Sequence, residues 1–268
     1  MPPIAWLRCL TGILWREALR FVHQRERFVA ALVRPLVWLI VFAAGFRAAL
    51  GVSILPPYET YITYDTYIVP GLVGMIQLFN GMQSSLSLVY DREMGSMRIL
   101  LTSPLPRWFL LVAKLLGGSL VSILQVYVFL GIAWLYGIEM EPLGYLAALP
   151  VLLLTGTMLG AFGMVLSSTI RQLENFAGVM NFVIFPMFFL SSALYPLWKM
   201  QEASMALHRV CAFNPFTHAI ELIRFALYLR WNGEALAWTA GALAVFLTVA
   251  IAAYDPTRGM IARRGGGD

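Results

Sequence analysis

Long apolar stretches alternate with short polar ones along most of the chain. From residue 35 onward the apolar stretches fall at about 35–50, 68–90, 109–136, 144–169, 176–197 and 234–254. A helix needs about 20 apolar residues to cross the hydrocarbon of a bilayer. Inside that layer a single chain segment satisfies its own backbone polar groups only as a helix. The pattern therefore predicts six spans. The first is the shortest, and Arg47 near its far end is placed to snorkel to the interface. Residues 1–34 read differently. Leu7, Leu10, Leu14, Ala18 and Phe21 fall on one helical face, and Arg16, Arg20 and Arg27 on the opposite one. That is the pattern of an amphipathic helix lying in the membrane surface. Residues 198–232 are too polar for a span and too apolar for a free loop.

Composition narrows the class. The chain has 268 residues, of which 60% are hydrophobic and only 12% charged, about half the charged share of a soluble domain. A soluble globule, a disordered chain, a coiled coil and a disulfide-stapled domain are all excluded. An all-α membrane protein remains. Its organisation reads as an interface helix at 1–34, a six-span domain at 35–254 and a basic tail at 255–268. The net charge of +5 sits in the connections. With the N-terminus inside, fourteen basic residues fall on the inner side, counting Lys114 with the 91–107 segment, and four fall outside, all within 198–232. This bias predicts both termini in the cytoplasm of a cytoplasmic (inner) membrane, with lipid as the surrounding partner and no role in nucleic-acid binding. Arg8 interrupts the early apolar run, so no cleavable leader is expected.

Most catalytic chemistry is missing from the sequence. There is no G-x-x-x-x-G-K-[ST], so no nucleotide-phosphate cradle is expected in this chain. Cys9 and Cys211, and His23, His208 and His218, lack metal-ligand spacing. No G-x-S-x-G occurs, and no acid pair lies within a span. No catalytic residue and no metal site are predicted. Two patterns do stand out inside the spans. Gln77, Asn80, Ser84 and Ser87 recur along one stripe of the second span. Such a stripe faces protein or water, so it either bonds helices together or lines a path. Gly156, Gly160 and Gly163 on the fourth span suit close helix packing. Asn181 and Pro186 mark a candidate kink in the fifth.

The segment Asp91-Arg92-Glu93-Met94-Gly95-Ser96, running on through Leu100, Leu101 and Pro104 to Arg107, joins the second and third spans on the inner side. Gly95-Ser96 offers a bend and an N-cap, Ile99 to Leu101 a short apolar face, and Pro104 and Pro106 a stop. A short helix held along the membrane surface by charged shoulders suits docking into a partner; it also serves as a plain connection. The stretch resembles the cytoplasmic coupling segment of ABC-2 type transport permeases, on Asp91, Arg92, Glu93, Gly95, Ser96, Leu100, Leu101, Thr102, Pro104, Arg107 and Trp108. Asn214-Pro215 resembles that family's turn before its last span, and Phe185-Pro186 through Pro196 its fifth-span signature.

The resemblance implies the membrane half of an ATP-driven exporter without an ATP site of its own. ATP and Mg2+ would belong to a separate ABC ATPase, present in two copies, that docks on the coupling segment. A second permease subunit, in a homodimer, would complete the path. Residues 198–232 would correspond to short re-entrant or external helices between spans five and six. A non-transporting membrane scaffold or assembly protein and a secondary transporter are the alternative readings.

Overall fold

The computed structural model describes residues 3–23, 25–46, 56–59, 62–93, 106–169 and 173–253. Among them, regular structure is helical: α1 (Pro3–His23), α2 (Arg25–Phe46), α3 (Tyr64–Glu93), α4 (Arg107–Leu135), α5 (Pro142–Thr169), α6 (Leu173–Phe189), α7 (Leu197–Ala203), α8 (Met205–Phe213), α9 (Pro215–Leu227) and α10 (Gly233–Ala253). Three of these, α4, α5 and α10, are long and apolar enough to cross a membrane by length and composition. Shorter apolar runs occupy Leu32–Phe42 of α2 and Gly178–Phe189 of α6.

The core is organised around α3, which packs against α2, α4, α5, α6 and α9. Ile68, Val69, Leu72, Leu78 and Met82 have no accessible surface. A helix enclosed by protein does not need a uniformly apolar surface, which is why α3 carries its amides and serines. Its closest neighbour is α5, approached through small residues. A Cβ at Gly81 would lie 2.9 Å from the Gly160 nitrogen, and one at Gly163 only 2.9 Å from the Gly81 oxygen. These glycines let two backbones nearly touch, the usual device where dispersion and hydrogen bonds hold helices together in lipid. Of the three long apolar helices α10 is the least buried, with Val245 and Val249 turned outward.

Helix ends follow local chemistry. After α4, the Gly137 N–H donates to the Trp134 oxygen at 2.9 Å and the Ile138 N–H to the Ala133 oxygen at 3.0 Å. This is a Schellman cap, and Gly137 supplies the positive φ of 83° that it requires. α9 closes the same way, with the Arg230 N–H donating to the Phe225 oxygen at 2.9 Å. There Leu229 occupies the left-handed position, with φ 55°.

The structure corrects the sequence-based boundaries in four places. The fifth apolar stretch is not helical to residue 197: α6 ends at Phe189. The Ser191 hydroxyl donates to the Phe188 oxygen at 2.6 Å and accepts from the Ala193 N–H at 3.2 Å, which diverts the chain into a turn. The second correction concerns the first stretch. Its helix begins at Arg25, ten residues before the expected start at Pro35, which lies inside α2. Third, α1 covers only Pro3–His23 of the expected 1–34 segment; its Trp6 packs edge-on against Phe109 of α4, with centroids 4.7 Å apart, and its Ile13 is buried. Last, Lys114 belongs to the buried side of α4 and not to the connection before it.

Candidate functional site

The polar stripe of α3 points at its neighbours. The Gln77 side chain is wholly buried. Its Nε2 donates to the Leu152 oxygen of α5 at 2.7 Å, and its Oε1 accepts from the Thr155 hydroxyl at 2.6 Å. Gly156 makes room for it, since a Cβ there would come within 3.2 Å of the amide nitrogen. One turn on, the Asn80 Nδ2 donates to the Gln125 Oε1 of α4 at 2.5 Å and to the Ile76 oxygen at 2.8 Å. Ser84 faces Gly118 of α4, where a Cβ would lie 2.7 Å from its hydroxyl oxygen. Ser87 continues the stripe along the helix; its side chain lies outside those described. Of the two uses open to the stripe, this geometry favours helix bonding for Gln77 and Asn80.

Asp91, Arg92 and Glu93 complete the last turn of α3. Gly95, Ser96, Leu100, Leu101 and Pro104 lie outside the described residues. The chain resumes at Pro106, whose carbonyl accepts from the Phe109 N–H at 3.1 Å as α4 begins. Trp6 of α1 stands 6.0 Å from Trp108 and beside Phe109. Beyond the end of α3, the next described residues, from Pro106, lie where α1 braces α4.

Part-way along the Tyr64 half of α3, Asn214 and Pro215 start α9 rather than the last long helix. Pro215 sits at a position that has no N–H to satisfy. The Asn214 Oδ1 accepts from the Phe216 N–H at 3.0 Å, the usual N-cap bond. Its Nδ2 donates to the Met187 and Leu190 oxygens, at 2.8 and 2.6 Å, which are orphaned carbonyls at the end of α6. One amide thus closes two helix ends. From there α9 runs antiparallel to α3, from Phe216 beside Gly74 to Arg224 beside Tyr67.

Arg224 is buried, and its guanidinium lies 4.2 Å from the centre of the Tyr67 ring. It donates to the Ser192 oxygen at 3.0 Å and pairs with Glu221. Tyr67 donates its own hydroxyl to the same Ser192 carbonyl at 3.0 Å. In the segment before α3, Tyr58 meets Tyr228 edge to face at 4.7 Å. Burial pushes the Tyr58 phenol up to about 12, so it stays neutral throughout the physiological range.

One residue passed over in the sequence emerges here. Arg34 of α2 is exposed, and its guanidinium lies 3.9 Å from the centre of the Phe79 ring. Phe79 in turn meets Phe185 of α6 in a T-shaped contact at 6.4 Å. The Arg34-Pro35 pair reads as a span boundary, which hid the depth this arginine reaches.

These features define a class: a polytopic helical membrane subunit whose longest helix runs from a buried polar anchor at one end to a charged connection at the other. Sequence comparison gives the family. The ABC-2 type transporter family matches residues 9–228, and the chain belongs to it. It is 30% identical over 232 residues to the putative transport permease ycf38 of Porphyra purpurea, covering 83% of this chain and 75% of that one. It is 29% identical over 203 residues to the probable multidrug ABC transporter permease YbhR of Escherichia coli K12, covering 74% of this chain and 53% of that relative. The daunorubicin resistance ABC transporter permease protein DrrB1 of Streptomyces coeruleorubidus is 25% identical over 248 residues, 90% of this chain and 84% of that one. The chain is the membrane subunit of an ABC transporter.

Proposed function

We propose that this subunit is the path-forming half of an ATP-driven exporter in the cytoplasmic membrane. α2, α3, α4, α5, α6 and α10 form its six spans, and residues 35–254 its permease domain. α1 lies in the inner interface within residues 1–34, α7 to α9 form an outer layer of which α9 dips back into the membrane, and residues 255–268 are a cytoplasmic tail. Both termini are cytoplasmic, as the basic bias of the connections supports. A second copy completes the path. Two ABC ATPase subunits, which carry ATP and Mg2+, dock on residues 91–107, and this chain contributes no catalytic residue.

The observation that carries the reading is the placement of α3. It is the most enclosed helix, and its last turn is Asp91-Arg92-Glu93. A displacement of the connection beyond Glu93 passes along α3 to every helix packed against it, because close-packed interiors transmit strain rather than absorb it. α1 braces the start of α4 on the far side of that connection. The daunorubicin resistance permease and the probable multidrug permease among the relatives support export as the direction.

The test is affinity purification of the tagged chain from its native membrane in mild detergent. A stoichiometric ATPase subunit is expected to accompany it. Glu93→Lys and Gly95→Trp should lose that subunit and transport while inserting at normal levels. Full transport by both variants would sink the docking assignment.

A further inference from the structure

We propose that the surface formed by α2, α3 and α6 is a binding site for an anionic amphiphile, with Arg34 holding the headgroup, and that this amphiphile is the transported cargo. The proposal rests on the transporter reading above and names its substrate class.

Depth is the first observation. Phe79 is fifteen residues from Tyr64 and fourteen from Glu93, the two ends of α3. At 1.5 Å per residue the ring stands about 22 Å along the helix from Tyr64 and about 21 Å from Glu93. The Arg34 guanidinium rests on that ring, so a full positive charge lies level with the middle of the longest helix. A cation at that depth needs a counter-charge or water.

The described residues offer no counter-charge there. In α2, α3, α4, α5, α6 and α10 every acidic residue lies in a first or last turn: Glu26, Asp65, Asp91, Glu93, Glu174 and Glu234. Asp91, the acid nearest to Phe79 along α3 toward Glu93, is twelve residues away, about 18 Å along the axis. A second copy set the same way up carries its acids at the same depths, so it cannot neutralise Arg34 either. Short of water at that depth, an anion at Arg34 comes from something other than the described residues.

The surroundings specify the rest of the ligand. Phe79 and Phe185 present aromatic surface beside the guanidinium. Trp38, one turn along α2, stacks with Phe42 at 5.0 Å. Toward the Glu93 end, the neutral amides of Gln83 and Asn181 are exposed one turn beyond Phe79 and Phe185. A single cation, aromatic walls above it and uncharged amides below fit a molecule with one acidic head and an apolar body. An anionic head on Arg34 gains a charge-assisted bond that lipid tails cannot supply.

The experiment uses the full chain in phosphatidylcholine nanodiscs and radiolabelled monododecyl phosphate as probe. Wild type should bind it at least tenfold more tightly than dodecyltrimethylammonium. Arg34→Gln should lose that preference at least tenfold, and Arg34→Lys should keep most of it. A wild-type chain indifferent to headgroup charge overturns the site, as does unchanged binding in R34Q. If R34Q fails to insert, the charge preference of wild type against R34K decides on its own. The cargo assignment is read separately, in proteoliposomes holding the chain with its ATPase. ATP-dependent movement of the probe, lost in R34Q, supports it. Intact binding with no movement overturns it and leaves a fixed lipid site. Should no ATPase accompany the chain, the transporter reading fails while the binding measurement still stands.

Discussion

The Thr155 hydroxyl donates to the Gln77 amide oxygen across 2.6 Å, and Gln77 hands its own N–H to the Leu152 carbonyl one turn away. Two helices are tied by a side-chain pair in which both partners are buried. Thr155→Val strands the Gln77 amide oxygen in an apolar setting, which costs about 1–3 kcal/mol; after Gln77→Leu the Thr155 hydroxyl turns to the Val151 oxygen at 2.9 Å, and removing both partners is milder than the sum. Gln77→Leu and Thr155→Val are therefore each expected to lower the melting temperature in detergent, and the double variant to lose clearly less than the sum. Strict additivity would show that the pair contributes no coupling and return the stripe to a path-lining role.

Asn214 makes a sharper demand on residue type than an ordinary N-cap. Asp is as good as Asn at capping, but it cannot donate. Asn214→Asp keeps the bond from the Phe216 N–H and loses both bonds to the Met187 and Leu190 carbonyls. It also sets a carboxylate against two carbonyl oxygens. N214D is expected to destabilise at least as much as Asn214→Ala, by about 1–3 kcal/mol for the carbonyls left bare. Thermal unfolding of the two variants side by side decides it. Wild-type stability in N214D would reduce the residue to a simple cap.

Sequence pattern located α4, α5 and α10 to within two residues, because a lipid-facing helix needs a long, even apolar run and short polar ends. It read α3 less well. Burial by protein and burial by lipid leave similar traces in a hydropathy pattern, so nothing marked α3 as the enclosed helix rather than one span among six. The end of α6 was hidden because the turn after Phe189 is as apolar as the helix. Ser191 ends the helix through local hydrogen bonds that hydropathy does not register. Arg34 was misplaced because the apolar run that marks the first span begins only at Pro35, whereas the helix begins ten residues earlier, at Arg25. Asn214-Pro215 was legible as a turn. The second half of its job, closing α6, depends on a contact between residues 24 and 27 positions apart.

The buried Arg224, paired with the partly exposed Glu221, holds α9 to α3 and to the turn after α6. The pair matters most through what happens when one member is removed. Arg224→Met leaves Glu221 without its partner and Tyr67 without the cation over its ring. Breaking a fully buried pair costs about 3–5 kcal/mol, and the partial exposure of Glu221 puts the loss here below that range. The double variant Glu221→Gln with Arg224→Met should recover a large part of that loss, since two uncharged side chains pack where a stranded charge does not. Equal expression and melting of R224M and the double variant would show that the charge of Glu221 is solvated in the single variant.

His218 gives the outer layer a pH dependence of definite sign. Its ring stacks on Trp238 of α10, with centroids 4.8 Å apart and planes 4° from parallel. The Ala212 carbonyl 2.8 Å from Nε2 can only accept, so that nitrogen carries the proton. α9 has 13 residues, too few to cross a bilayer. Burial holds the imidazole below its ordinary value of 6.5, against the opposing pull of the Ala212 carbonyl, Glu234 and Glu221. A base whose folded pKa is depressed favours the fold while it is neutral. The unfolded chain takes up the proton first as pH falls through 6.5, and stability drains away below that point. The melting temperature of wild type should therefore fall between pH 7.5 and 5.5 more steeply than that of His218→Phe, which keeps a ring against Trp238 and cannot titrate. Parallel pH slopes for the two proteins would mean that the imidazole titrates alike in both states.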